Sequence, residues 1–349
     1  MVSLLRCPNI SIDLINKYLK YSDDARSYSN FGFCEKLLRE KLSNILSVSY
    51  DNLLLGSSAT SLLWISCHLF ANQIKQNEGI FYFPAFSFFS TFSIASSLDN
   101  KISFYDIKDF SFLPFIERKI TKNDFVFLNV PFGSSFKLRE YIDFAGKLPC
   151  PVVIDAAACL PGVIRGDLKF DNFPPNTIIV FSLHATKLIS AGEGGLCLFG
   201  KKMPSYLKNL TNFGIVKGRK QKWLNSTNAK MSEFNAAACL SSIDMFKKNA
   251  DEIIKAKKKA FEICFNYKLK TFADKIEPTL TLNILNEKSD ILLKLSNNNY
   301  EYRRWWSLTN FIDKEKHVNS IKAYDSILGI PFDWENIDSY FEKMCKQIS

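Results

Sequence analysis

Through the first two-thirds of the chain, short apolar runs rich in β-branched and aromatic residues stand at Gly79–Phe83, Ile102–Tyr105, Phe125–Val130, Val152–Ile154, Ile178–Phe181 and Leu196–Phe199. Each has the length of a strand. Between them lie stretches that read as helices: Glu35–Leu46, Ala59–Asn72, Phe86–Leu98 and Leu138–Lys147, then Met231–Phe246 continuing through Asp251–Tyr267. Strands alternating with helices in this way predict an α/β fold, a mainly parallel sheet wrapped by helices.

The last hundred residues change character. Asn-rich and Lys-rich loops surround short runs at Thr279–Leu285 and Ile291–Leu295, which read as strands, and a closing helix is predicted over Asn336–Lys346. The pattern therefore divides the chain into a large domain, residues 1–245, and a small C-terminal α+β domain, residues 246–349. With 349 residues, 47% of them hydrophobic, the chain can bury cores of that size. It carries no internal repeat and no low-complexity tract.

Composition removes several classes of function. No stretch approaches the roughly 18 to 20 uninterrupted apolar residues of a membrane span. The start, MVSLLRCPNIS, lacks the basic flank, long apolar core and small-residue cleavage site of a signal peptide, so a soluble cytoplasmic protein without membrane insertion is expected. Nine cysteines lie scattered without a C-x-x-C pair and read as reduced core residues. The three histidines, His68, His184 and His317, have no partner at ligand spacing, so no metal site is predicted. The net charge of +10, with basic runs at Lys217–Lys222 and Lys255–Lys259, would attract anions of many kinds. In the second run the lysines alternate with apolar residues at helical spacing, which marks a solvated helix face, and no nucleic-acid reader motif accompanies either.

Candidate chemistry gathers at the strand ends, where ligands of open α/β sheets sit; here those ends carry Pro84, Asp106, Pro131, Asp155 and Ser182. The segment Phe181–Gly195, FSLHATKLISAGEGG, ends a strand and presents Ser182, His184 and Lys187 before a glycine-rich stretch. A lone loop lysine is ordinarily a surface residue, but one held near the strand ends has its pKa lowered by burial and can act as nucleophile and base. Asp155 suits either a helix N-cap or the partner of a heterocycle's ring nitrogen. Gly56, Ser57 and Ser58, between an apolar strand and a helix, suit a plain cap or a phosphate cradle. In Phe83–Phe88, FPAFSF, an aromatic just beyond a strand suits core packing or stacking on a flat ring. A phosphate site, a stacking face, a carboxylate for a ring nitrogen and an amine, in that chain order, resemble the fold type I pyridoxal-phosphate (PLP) enzymes.

The resemblance narrows at Ser182–Gly195, where S-x-H-x-x-K-x-x-[ST]-x-G-E-G-G is similar to the Schiff-base motif of the DegT/DnrJ/EryC1/StrS sugar aminotransferase family. Ser29–Gly32 (SNFG), Phe104–Ile107 (FYDI), Val130–Gly133 and Asn228–Ala237 (NAKMSEFNAA) resemble further family segments, so the likeness is specific over residues 25–245 and loose beyond. It implies a mainly parallel seven-stranded sheet sandwiched by helices. It also implies that Lys187 forms the Schiff base with PLP and that Asp155 pairs with the pyridine nitrogen. By the same likeness Phe88 stacks on the ring, Ser57, Ser58 and Ser182 hold the phosphate, and Asn228 reaches the phosphate of a neighbouring subunit's cofactor. A homodimer with shared active sites follows.

On the substrate side the resemblance places Asn30 and His184, with Arg303 from Tyr300–Trp306 (YEYRRWW), which resembles the family's I-x-T-R segment. Two arginines beside two tryptophans suit a phosphate clamp with a stacking surface, or equally a covered tryptophan pair. The implied activity is transfer of an amino group from an amino acid, L-glutamate by expectation, to a nucleotide-linked keto-deoxysugar. Pyridoxamine phosphate would be the intermediate carrier, and the implied pathway is the synthesis of a surface polysaccharide such as O-antigen. The chain departs from the family at Ala158, where Gln or His usually bonds the cofactor's 3-hydroxyl, and at Ser57, Phe33 and Lys230. Two rival readings are a PLP-dependent sugar dehydratase or deoxygenase, whose relatives carry His in place of the lysine, and a catalytically silent binding or regulatory subunit.

Overall fold

The computed structural model describes residues 10–74, 78–108, 111–170, 173–200, 207–215, 225–271, 279–284, 288–306, 312–332, 334 and 337–349. The basic run Lys217–Lys222 lies outside these, as do Leu285 and Asn336 at the ends of two expected elements.

The central sheet is built from β1 (Leu53–Gly56), β2 (Ile80–Pro84), β3 (Lys101–Ile107), β4 (Pro114–Phe115), β5 (Phe125–Asn129), β6 (Val152–Asp155), β7 (Thr177–Ser182) and β8 (Gly195–Phe199). Their order is β1-β8-β7-β6-β5-β2-β3-β4. Strands β3, β2, β5, β6 and β7 pair in parallel, β8 runs antiparallel between β7 and β1, and β4 pairs antiparallel with β3 at the far edge. The sheet is thus mainly parallel as expected, with eight strands in place of seven. The addition, Pro114–Phe115, is too short to leave a periodic signal in the sequence.

Successive side chains of each strand enter two different cores. Leu53, Leu55, Val126, Leu128, Val152, Ile154, Ile179 and Phe181 pack on one face, and Leu54, Phe81, Phe125, Phe127, Val153, Ile178 and Val180 on the other. A period of two with both faces covered explains why these strands read as unbroken apolar runs. The first face is covered by helices α1 (Ile12–Asp24), α2 (Phe33–Leu46) and α5 (Ser135–Gly146), and the second by α3 (Ala59–Gln73) and α4 (Phe89–Ser96). Two short helices, α6 (Leu160–Ile164) and α7 (Leu207–Leu210), precede the 34-residue α8 (Glu233–Asn266).

The expected division at 245/246 falls within α8, which runs through it unbroken. Its first half gives Leu240 and Ile243 to the core under the sheet, and its second half gives Ala260, Ile263 and Cys264 to a separate C-terminal core. The elements that follow are β9 (Lys270–Thr271), β10 (Thr279–Asn283), α9 (Lys288–Asn297), β11 (Arg303–Arg304), α10 (Val318–Ser326), β12 (Ile327–Pro331) and α11 (Glu342–Ile348). Of these, β10, α9, β12 and α11 contribute to that core, whereas Ala323 of α10 packs with Phe86, Ile107 and Phe112 of the large domain. The second sheet has the order β11-β12-β10-β9.

The strand expected at Ile291–Leu295 is instead part of α9. Ile291 and Leu295 are buried whereas Leu293 is 60% exposed, a four-residue recurrence that a helix meets and a strand does not. Neither α10 nor β12 is anticipated from sequence. Helix α10 is anchored to the large sheet by Asp106 at the end of β3, whose carboxylate accepts from Asn319 N–H (2.9 Å), Ser320 N–H (2.8 Å) and Ser320 Oγ–H (2.6 Å). No described helix is long and apolar enough to cross a membrane.

Candidate active site

Strands β5, β6 and β7 end side by side, and their last residues, Asn129, Asp155 and Ser182, face one cavity of about 440 Å³. Parallel register places Asn129 directly opposite Asp155. Asp155 is 4% exposed. Burial pushes its carboxyl up from the usual 3.8 to about 6, although the Ala157 N–H donating to Oδ1 at 3.0 Å and the charge of Lys187 both pull it down.

Lys187 is presented by a turn that folds back on itself. Ala185 N–H donates to Gly192 O, Ala191 N–H to Leu183 O and Lys187 N–H to His184 O, while Ser182 Oγ accepts from His184 N–H at 3.2 Å. Gly192 closes the turn at φ +77°, a conformation that glycine adopts without strain. The Lys187 side chain lines the same cavity as Asp155.

The opposite wall is the start of α3. Ser58 caps it, accepting from Ser61 N–H at 3.0 Å, while Ser61 Oγ accepts from Ser58 N–H at 3.2 Å. Strand β8 passes so close that a Cβ on Gly195 would lie 2.6 Å from the Ser58–Ala59 peptide. Ser58, Ala59 and Thr60 border the cavity, so the amide-rich, electropositive end of a 15-residue helix faces it. Ser57 lies one residue back, its N–H on Ala229 O and its Oγ 3.2 Å from Ser61 Oγ, and is not part of the wall.

Phe88, 41% exposed, offers a ring to the cavity from the residue before α4. His184 and Glu193 border the mouth with His184 Nε2 3.5 Å from Glu193 Oε1, and His184 Nδ1 accepts from Thr186 N–H. Arg303 reaches the cavity from β11 of the second sheet and lies over Trp305 at 5.3 Å. Trp306 stacks on Phe132 at 5.8 Å and 18° to complete an aromatic wall.

The structure therefore brings together Ser58, Phe88, Asp155, Ser182, His184, Lys187 and Arg303. Asn30 and Asn228 are exposed and stand outside this wall. Asn30 sits in a left-handed conformation in the loop before α2, and Asn228 bridges to Asn212. Sequence reasoning missed Asn129 and Phe132. A polar residue closing the apolar run Phe125–Leu128 was the available signal for the first.

The donor set fits PLP: a helix start with hydroxyls for the phosphate, an aromatic plate, a buried acid for the ring nitrogen and an amine for the aldehyde. Ala158, also in the wall, supplies only a methyl group where the family usually has a hydrogen-bonding side chain.

Comparison with known proteins agrees. Solved structures of the same fold include a protein of Bacillus cereus ATCC 10987 described as a PLP-dependent aminotransferase, with TM-score 0.81 and 19% identity over 99% of this chain and 100% of that one. The sugar aminotransferase CalS13 of Micromonospora echinospora has TM-score 0.76 and 14% identity over 100% and 99%. DesI, solved in the presence of its TDP-sugar product, has TM-score 0.75 and 19% identity over 99% and 92%. No curated protein matches the chain in sequence. The family model of the DegT/DnrJ/EryC1/StrS aminotransferases matches residues 15–289. This chain belongs to that family of PLP-dependent aminotransferases.

Proposed function

We propose that the enzyme moves an amino group from L-glutamate to the ketone of a nucleotide-linked keto-deoxysugar, in the synthesis of a surface polysaccharide. The observation that carries this reading is the buried Asp155 carboxylate sharing one cavity with Lys187 beside the start of α3. Bound PLP supplies an electron sink and an acceptor for the amino group.

Lys187 would hold the cofactor through its side-chain amine, and the same amine would move the proton at the substrate carbon. Asp155 keeps a proton on the ring nitrogen; its raised pKa reflects a buried charge that a pyridinium would balance. Ser58, Ser182 and the amides of α3 bind the phosphate, with Ser57 behind them, and Phe88 orients the ring. Arg303, with Asn30 and His184, engages the substrate. DesI, of like fold, was solved with a TDP-sugar product, and the aromatic wall of Phe132, Trp305 and Trp306 beside Arg303 suits a sugar carrying anionic phosphates.

The working unit in this reading is a homodimer, with Asn228 serving the partner's cofactor phosphate. Asn228 is exposed, and near it Phe213 and Ile215 leave apolar surface uncovered, 46% and 55% exposed. Tyr28 and Phe234 add a stacked exposed pair at 5.6 Å. We place the enzyme in the cytoplasm, in keeping with the eight cysteines among the described residues, which are buried free thiols. Rapid mixing of cofactor-loaded enzyme with glutamate tests the activity. The visible absorbance of the bound cofactor should disappear, then return on addition of a nucleotide-linked keto-sugar. An unchanged spectrum with every amino acid tried rejects transamination.

A further inference from the structure

Asn129 has no assigned role, yet its surroundings are those of a functional group. It is 8% exposed at the carboxyl end of β5 and borders the cavity. No described hydrogen bond engages its side-chain amide. With the rest of the residue packed away, the amide opens on the cavity, where a ligand atom can take up its hydrogen bond. The neighbouring parallel strand places Asp155 directly opposite, about 4.8 Å away between strand axes, and residues in register project to the same side of a sheet. On a pyridine ring the nitrogen and the 3-oxygen lie meta to each other on one edge. A carboxylate on one strand and an amide on the next therefore match a ring nitrogen and its 3-oxygen.

We propose that Asn129 donates a hydrogen bond to the 3-oxygen of the cofactor, the function that Ala158 has lost. The inference rests on the PLP reading of the site. Residue 158 lies in the same wall but its methyl group offers no donor, and Gly133 packs so closely on it that a Cβ there would stand 2.6 Å from Ala158 O, so position 133 cannot supply a side-chain donor in its place. Asn129 is a positioning residue in this scheme. By stabilising negative charge on the 3-oxygen it weakens that oxygen's hold on the proton of the Lys187–cofactor imine and lowers the imine's pKa. The other ionisable groups facing the cavity are Asp155, Lys187, His184, Glu193 and Arg303, and none of them changes in the variants below.

The test is a spectrophotometric pH titration of the cofactor-loaded protein, which reads the imine without turnover. Asn129→Ala, and the size-matched Asn129→Leu in case the smaller side chain does not fold, should raise the imine pKa by about one to two units, the effect of losing one donor to a charged oxygen. Combining Asn129→Ala with Ala158→Gln should bring it back toward wild type. An imine pKa unmoved in either single variant, or a rise that the added Ala158→Gln substitution does not reverse, overturns the assignment. Wild-type protein that shows no imine absorbance at any cofactor concentration overturns the PLP reading itself, a different outcome from a wild-type imine indifferent to residue 129.

Discussion

Replacing Asp155 by Asn tests the electrostatics of the site without altering its shape, because the amide oxygen can still accept from Ala157 N–H. Burial raises the Asp155 carboxyl from 3.8 to about 6, roughly two units at about 1.4 kcal/mol each, so an ionised Asp155 without cofactor costs ~3 kcal/mol of fold stability. The sign follows from proton binding. With its pKa raised, the folded chain holds the proton more tightly than the unfolded chain, so this contribution is favourable below about pH 4 and is lost as pH climbs from 3.8 to about 6. At pH 7 the cofactor-free Asp155→Asn protein should therefore be more stable than cofactor-free wild type by up to about 3 kcal/mol, with the difference vanishing near pH 4. Cofactor binding should change in the opposite direction. The wild-type carboxylate gains a cationic partner that Asn cannot use, so affinity at pH 7 should fall by about ten- to a hundredfold in the variant. Denaturant unfolding of cofactor-free protein between pH 4 and 7, with fluorescence titration of cofactor, measures both. Parallel pH profiles for wild type and variant, or unchanged affinity, would refute the reasoning.

Two further perturbations separate the substrate side from the scaffold. Arg303→Ala should raise KM for the nucleotide-sugar by about ten- to a hundredfold, the loss of a charge-assisted contact, while leaving the half-reaction with the amino acid unchanged; steady-state kinetics beside single-turnover mixing distinguishes this from a general defect. Asp106→Ala strips three donors at the start of α10 of their acceptor and should destabilise the fold by about 2–4 kcal/mol in chemical denaturation. A loss below about 0.5 kcal/mol would mean that the cap does not tie α10 to the large sheet.

The large sheet was legible in the sequence because both of its faces are buried, which leaves runs such as Phe125–Leu128 and Ile178–Phe181 apolar at every position. The turn from Ser182 to Gly195 was legible for a different reason: its glycines, its lysine and its flanking strands all lie in one continuous stretch. The C-terminal part was less so. Its strands β9 and β11 have two residues each, and the run Ile291–Leu295 fits a helix or a strand until the exposure of Leu293 decides. Helix α10 depends on Asp106, more than two hundred residues away in sequence, for its cap. Residues contributed by one position of a strand end carry the weakest signal of all. The polar residue closing the run Phe125–Leu128 marked Asn129 as a strand end, but that it and Phe132 join Asp155 in one site follows from β5 lying beside β6, a fact of topology.

Reduction of the cofactor-loaded protein with borohydride, followed by proteolysis and mass spectrometry, tests the assignment of the covalent anchor most directly. The account predicts a single pyridoxyl adduct on the peptide containing Lys187, absent from Lys187→Ala. An adduct on any other lysine, or none on protein saturated with cofactor, contradicts it.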